Sequence, residues 1–236
     1  RTTGNIIFGA MDISIMTDKP AGRSPIVNYA INDSEHKQAY DLLYRELCEG
    51  HQAYIICPMV TGDDDGKKSV EETAKKIRSI YNGIEVGEVH GKMDPKKKNE
   101  VMEAFAGGGI KILVSTTVVE VGVNVPNATV ILIEGANNFG MLQLHQLRGR
   151  VGRGKDQSYC VFINTSDEPC EKLNILARTN DGFEIAEADY NLRKAGDLLG
   201  TQQSGSMGFR LADIVKDEDI LKQAEEAVKD KMAKEK

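Results

Sequence analysis

Short runs rich in Val, Ile and other apolar residues recur along the chain: AYIICPMV (53–60), IEVGEVH (84–90), KILVST (111–116), ATVILIE (128–134) and SYCVFIN (158–164). Several lack the polar alternation of a half-exposed strand, which predicts strands buried on both faces. The stretches between them place apolar residues three and four positions apart. Residues 34–48 carry Ala39, Leu42, Leu43 and Leu47 on one stripe, with Ser34 expected as the N-cap. Residues 67–81 and 95–106 read as further helices, the second opened by Asp94 as N-cap with Pro95 in the first position. A helix over 140–148 precedes the last strand. Strands alternating with helices predict an α/β fold, a parallel sheet flanked by helices.

After Asn164 the pattern changes. Two helical stretches, 168–178 and 183–193, flank the turn Asn180-Asp181-Gly182, as in a helical hairpin. GDLLGTQQSGSMG (196–208) is glycine-punctuated and reads as a loop. From Asp217 a charged helix is expected, with Ile220, Leu221, Ala224 and Val228 as its apolar stripe.

With 236 residues, 40% apolar and 28% charged, the chain has the composition of a globular protein, which excludes fibres, collagen and disordered tails. No run approaches the roughly 20 apolar residues of a membrane helix, and RTTGNIIFGAMD lacks the layout of a signal peptide, so the cytoplasm is the expected compartment. Cys48, Cys57, Cys160 and Cys170 form no C-x-x-C pair and have no His at ligand spacing. Buried free thiols are therefore expected, with no metal. The net charge is −6, yet no Asp or Glu occurs from Gly135 to Lys155, where Arg148, Arg150, Arg153 and Lys155 cluster. That local basic field suits a phosphate-bearing ligand. TGDDDGKKS (61–69) does not: it fails the phosphate-loop pattern at Thr61 and Lys68, and three aspartates would repel a polyphosphate.

QLHQLRGRVGRG (143–154) places Arg150 and Arg153 three residues apart near the end of the expected helix, hence on one helix face, with Gln146 just before them. Guanidinium forks match phosphate oxygens, and such arginines stabilise phosphoryl transfer by roughly 4 to 7 kcal/mol. The pattern Q-x-x-G-R-x-G-R resembles motif VI of the superfamily 2 helicases. Upstream, STTVVEVGVNVP (115–126) resembles their motif V, which implies Ser115, Thr116 and Thr117 beside the nucleic-acid backbone and Gly122 and Asn124 beside the nucleotide. Asn124 stands where many members have Asp. HGKM (90–93) resembles a further backbone-contacting motif, with Gly91 and Lys92 as its contact residues.

TNDGFEIAEADYNLRKAGDLLGTQQSG (179–205) is similar to the translocation motif of the RecG family of double-stranded-DNA translocases, with a related hairpin in the transcription-repair coupling factor. The resemblance implies that Lys172, Arg193 and Gln203 couple lobe movement to DNA. It implies four segments: a connector from a first motor lobe (1–30), the second RecA-like lobe (31–165), hairpin and translocation loop (166–209), and a C-terminal helical segment (210–236). It further implies a chain that starts mid-protein, ATP and Mg²⁺ held mainly by the absent first lobe, and catalytic roles for Arg150, Arg153 and Gln146. Implied partners are branched double-stranded DNA, the first lobe and DNA-wedge domain of the same polypeptide, and single-stranded-DNA-binding protein, in a bacterial, nucleoid-associated setting. The alternatives are a lobe of the coupling-factor type, or a non-catalytic nucleotide- or DNA-binding module when isolated.

Overall fold

The computed structural model describes residues 24–59, 67–116 and 125–198, with residue 223. It contains six strands, β1 (Val27–Asn32), β2 (Gln52–Ile56), β3 (Val86–Val89), β4 (Ile112–Ser115), β5 (Ala128–Ile133) and β6 (Tyr159–Asn164). All pair in parallel in the order β1-β6-β5-β2-β4-β3. The helices are α1 (His36–Cys48), α2 (Lys67–Ile80), α3 (Pro95–Ala106), α4 (Met141–Arg148), α5 (Glu171–Arg178) and α6 (Gly182–Leu198).

The interior strands are apolar on both sides because both sides are covered. Tyr54, Ile56, Leu113, Ile131 and Phe162 share one core with Phe105 of α3, Leu144 and Leu147 of α4, Leu173 and Leu176 of α5 and Ile185 of α6. On the other face Ile55, Val114, Val130, Leu132 and Ile163 meet Ala39, Leu43 and Leu47 of α1 and Val70, Ala74 and Ile77 of α2. Each Leu, Ile or Phe so buried contributes about 1.5–3 kcal/mol of transfer free energy.

The start of α3 follows its sequence signal: Asp94 Oδ1 accepts from the backbone N–H of Lys96 at 2.9 Å and of Lys97 at 3.4 Å. At α1 the expectation is corrected. Ser34 lies inside a 3-10 turn, Asp33–Glu35, that precedes the helix. The closing bond there comes from Glu35, whose Oε2 accepts from the Asn32 N–H at 3.0 Å. The sixth strand, β1, had no counterpart in the sequence reading and runs across the expected boundary between residues 30 and 31. It is an edge strand paired only with β6, and its composition, VNYAIN with an exposed Tyr29, reflects burial on one side only. Helix α6 continues past Arg193 to Leu198.

None of the four cysteines is in a disulfide, and Cys57 and Cys160 are buried while Cys48 is exposed. Among the described residues no helix is long and apolar enough to cross a membrane. The acidic turn at 61–66, Thr117, Gly122, Asn124, Gln203 and the expected helix from Asp217 lie outside the described residues.

Candidate functional site

Parallel strands give the sheet two chemically different edges, and the candidate residues divide between them. Residues 149–157 lead into β6 and so lie at the edge where strands start. Helix α4 ends at Arg148, so Arg150 and Arg153 do not share a helix face as their spacing suggested; both sit in the irregular loop beyond. What brings them together is the loop itself. Val151 between them is buried in the core, and Gly152 adopts φ +73°, a conformation that turns the chain back at little cost only for glycine. Arg153 Nε then donates to the Gly149 carbonyl at 3.1 Å. Gly154 lies flush against the end of the 115–126 segment, where an added Cβ would stand 2.5 Å from the Pro126 carbonyl oxygen.

Both guanidinium charges act on Tyr54 of β2: burial pushes its phenol up, and Arg153 and then Arg150 pull it back down. Arg150, Arg153 and Lys155 precede the one carboxylate of the loop, Asp156 at its exit, and two guanidinium groups so placed suit a phosphate-bearing ligand. Gln146 is exposed on α4.

The third arginine of the cluster departs from the sequence expectation. Arg148 is only 2% exposed and belongs to the interior, so the basic field at the surface is smaller than it looks in sequence. Its Nη1 donates to the carbonyls of Leu176 at 3.0 Å and Thr179 at 2.8 Å, and Nη2 meets His145 Nδ1 at 2.7 Å. Burial lowers its pKa, and the buried Cys160 thiol, pushed up by burial, lies near enough to feel its charge. Arg148 thus ties the end of α4 to the end of α5. A signal for this was present: Leu144, Leu147 and Arg148 are spaced three and four apart, on the buried stripe of α4.

At the opposite edge, where strands end, β3 and β4 bring the remaining candidates into register. Val89 pairs with Ser115, and the Thr116 N–H donates to the Val89 carbonyl at 3.3 Å. Gly91 and Lys92 follow directly and are exposed. His90 Nδ1, Ser115 Oγ and Thr116 Oγ1 are buried and have no hydrogen-bond partner among the described residues. Buried polar atoms are seldom left so. The sequence reading singled out Ser115 and Thr116 but not His90.

The hairpin of α5 and α6 returns to the strand-start edge. Asn180 in its turn donates to the Ile26 carbonyl at 2.8 Å and accepts from Asn28 Nδ2 at 3.0 Å. Ile26 is also the side chain that a Cβ on Gly152 would strike at 2.8 Å, so the hairpin turn and the arginine loop lean on one residue. Lys172 is occupied: its Nζ donates to the carbonyls of Asn137 and Phe139, each at 2.7 Å. Arg193 is exposed on α6 and pairs with Asp189 at 2.8 Å.

A parallel sheet with an arginine loop entering its last strand defines the second RecA-like lobe of a helicase motor. Residues 37–155 match the model of the helicase conserved C-terminal domain, and residues 179–236 match that of the ATP-dependent DNA helicase RecG, domain 3, C-terminal. The chain is 42% identical to the ATP-dependent DNA helicase RecG of Synechocystis over 98% of its length, and 44% identical to that of Bacillus subtilis over 92%. A solved structure of RecG bound to a three-way DNA junction superposes with a TM-score of 0.66 and 36% identity over 86% of the chain. The chain belongs to the RecG family. It spans 28% and 32% of the length of the two relatives, and 26% of the chain in the junction complex.

Proposed function

We propose that this chain is the second motor lobe of an ATP-dependent DNA helicase that remodels branched double-stranded DNA, such as stalled forks and Holliday junctions, in recombination and repair. One observation carries the reading: Arg150 and Arg153 share a loop that Arg148 and Ile26 tie to the turn of the α5–α6 hairpin. ATP, with Mg²⁺ held mainly by a first lobe, supplies the phosphoanhydride whose cleavage drives movement. Arg150 and Arg153 bind the γ-phosphate and balance its charge, Gln146 stands beside them on α4, and Gly122 and Asn124 complete the nucleotide edge.

A shift of the loop then reaches the end of α5 through Arg148, while Lys172 holds the other end of that helix to the segment before α4. Arg193 and Gln203 pass the displacement on to DNA. At the strand-end edge Gly91, Lys92, Ser115, Thr116 and Thr117 bind backbone phosphates, which position the duplex without reading its sequence. The first lobe and DNA-wedge domain, single-stranded-DNA-binding protein and a nucleoid location belong to the same proposal.

The test is ATP hydrolysis and fork remodelling by the full-length protein with and without branched DNA. Arg150→Ala and Arg153→Ala are each expected to abolish hydrolysis. Arg193→Ala is expected to retain hydrolysis and lose remodelling. Intact hydrolysis in both loop variants would sink the motor reading and leave a nucleic-acid-binding module.

A further inference from the structure

Helix α1 carries a carboxylate where its apolar stripe calls for a hydrophobic side chain. Glu46 is only 4% exposed, between Leu43 and Leu47 on the face turned to the sheet. A buried charge is retained only where partners repay its desolvation. Thr129 Oγ1 of β5 donates to Glu46 Oε2 at 2.9 Å, and His51 Nδ1 meets the same oxygen at 2.9 Å. His51 is returned to the helix by Gly50, at φ +90°, and its own N–H donates to the Glu46 carbonyl at 3.0 Å. The imidazole is therefore held from one side by a buried acceptor, with its other nitrogen turned outward.

That outward nitrogen, Nε2, lies 3.8 Å from Asp156 Oδ2, at ion-pair distance. Asp156 is in the exit of the loop that carries Arg150 and Arg153. One position before Glu46, the Arg45 guanidinium lies over the ring of Tyr159, the first residue of β6, at 5.7 Å. The last turn of α1 thus meets the loop exit at two points. Glu49, 4.0 Å from His51 Nδ1, is the remaining charged group facing the ring. His51 thus stands between two carboxylates, in hydrogen-bond contact with Glu46 through Nδ1 and at ion-pair range of Asp156 through Nε2.

We infer that the end of α1 clamps the exit of the arginine loop, Arg45 on Tyr159 and the Glu46–His51 pair on Asp156, so that Glu46 and His51 are positioning residues for Arg150 and Arg153. This rests on the nucleotide-sensing reading above. Nothing in the clamp touches nucleotide; it sets how closely the loop is held before nucleotide arrives, and so acts on binding more than on the chemical step.

The test uses His51→Gln and Asp156→Asn in the full-length protein, both partly exposed positions that spare the buried carboxylate, with Glu46→Gln as a third variant. Hydrogen exchange of amides 149–157 should rise in each. The KM for ATP should rise about three- to tenfold with kcat little changed, and the His51→Gln/Asp156→Asn double variant should be no worse than the singles, as for residues acting through one contact. Unchanged exchange overturns the clamp. Raised exchange with unchanged KM, while Arg150→Ala still abolishes hydrolysis, makes the contact merely structural and overturns the positioning role. Raised exchange with an inert Arg150→Ala refutes the nucleotide-sensing reading and leaves the clamp standing.

Discussion

The guanidinium of Arg148 exchanges water for three protein partners, the carbonyls of Leu176 and Thr179 and the His145 ring. Truncation to Ala would strand the buried Leu176 carbonyl and the partly buried Thr179 carbonyl and open a cavity, so Arg148→Ala should cost about 2–4 kcal/mol in chemical denaturation. Arg148→Lys, which keeps a charge but not the fork, should cost less, about 1–2 kcal/mol. In sequence Arg148 is one of several neighbouring cations, and only the stripe of α4 separates it from Arg150 and Arg153. His36 makes a different kind of statement. Its Nε2 lies 2.8 Å from Glu134 Oε2 and its Nδ1 2.8 Å from the Asp33 carbonyl, so both nitrogens face acceptors. The bond to Glu134 raises its pKa above the usual 6.5, against the opposing effect of burial. A raised folded-state pKa contributes stability that is complete below about 6.5 and fades as pH rises through the folded value. His36→Gln should flatten that part of a stability-against-pH curve, and an unchanged slope would show the pair to be energetically idle.

Elements were legible where local chemistry decides them. Helix α3 announces itself through Asp94 and Pro95, and the interior strands through runs that are apolar because both faces are covered. β1 was not legible because an edge strand with Asn28 and Asn32 among its six residues takes its structure from pairing with β6, a partner more than a hundred residues away. The arginine loop was half legible: the residues were found but not the fold that joins them, since the spacing was read as helix beyond the point where Gly149 ends α4. Gly152 and Gly154 do the joining, and they differ in what they tolerate. A methyl at Gly152 meets the side chain of Ile26 and a strained φ, whereas one at Gly154 meets the backbone carbonyl of Pro126. Gly152→Ala should cost about 1–2 kcal/mol of stability. Gly154→Ala should displace the loop and lower ATP hydrolysis by the full-length protein about a hundredfold, the scale of effect that follows from misplacing a reacting group by an ångström. Equal, mild effects of both would show that the loop re-forms without its contact to Pro126.

At the scale of the whole molecule, chain direction separates the two tasks. Every described strand starts at the edge of the arginine loop and ends at the edge of His90, Lys92, Ser115 and Thr116, so the proposed nucleotide and nucleic-acid contacts lie at opposite ends of one sheet. The described strand-start edge holds Arg150 and Arg153, while the strand-end edge carries the buried hydroxyls of Ser115 and Thr116 with Lys92 and, in the first turn of α3, Lys96, Lys97 and Lys98. The chain as a whole carries a net charge of −6, which opposes accumulation of a polyanion outside the few basic positions. The chain alone should therefore bind duplex DNA no more tightly than about 1 µM at physiological salt, the range of non-specific contacts. In the full-length protein, where other surfaces contribute, Lys92→Ala should weaken binding equally for unrelated sequences and reduce the slope of log K against log salt by about one. A loss confined to particular sequences would mean that this edge reads bases. An unaltered slope would mean that Lys92 never reaches a phosphate, and that the hydroxyls and His90 hold the backbone without it.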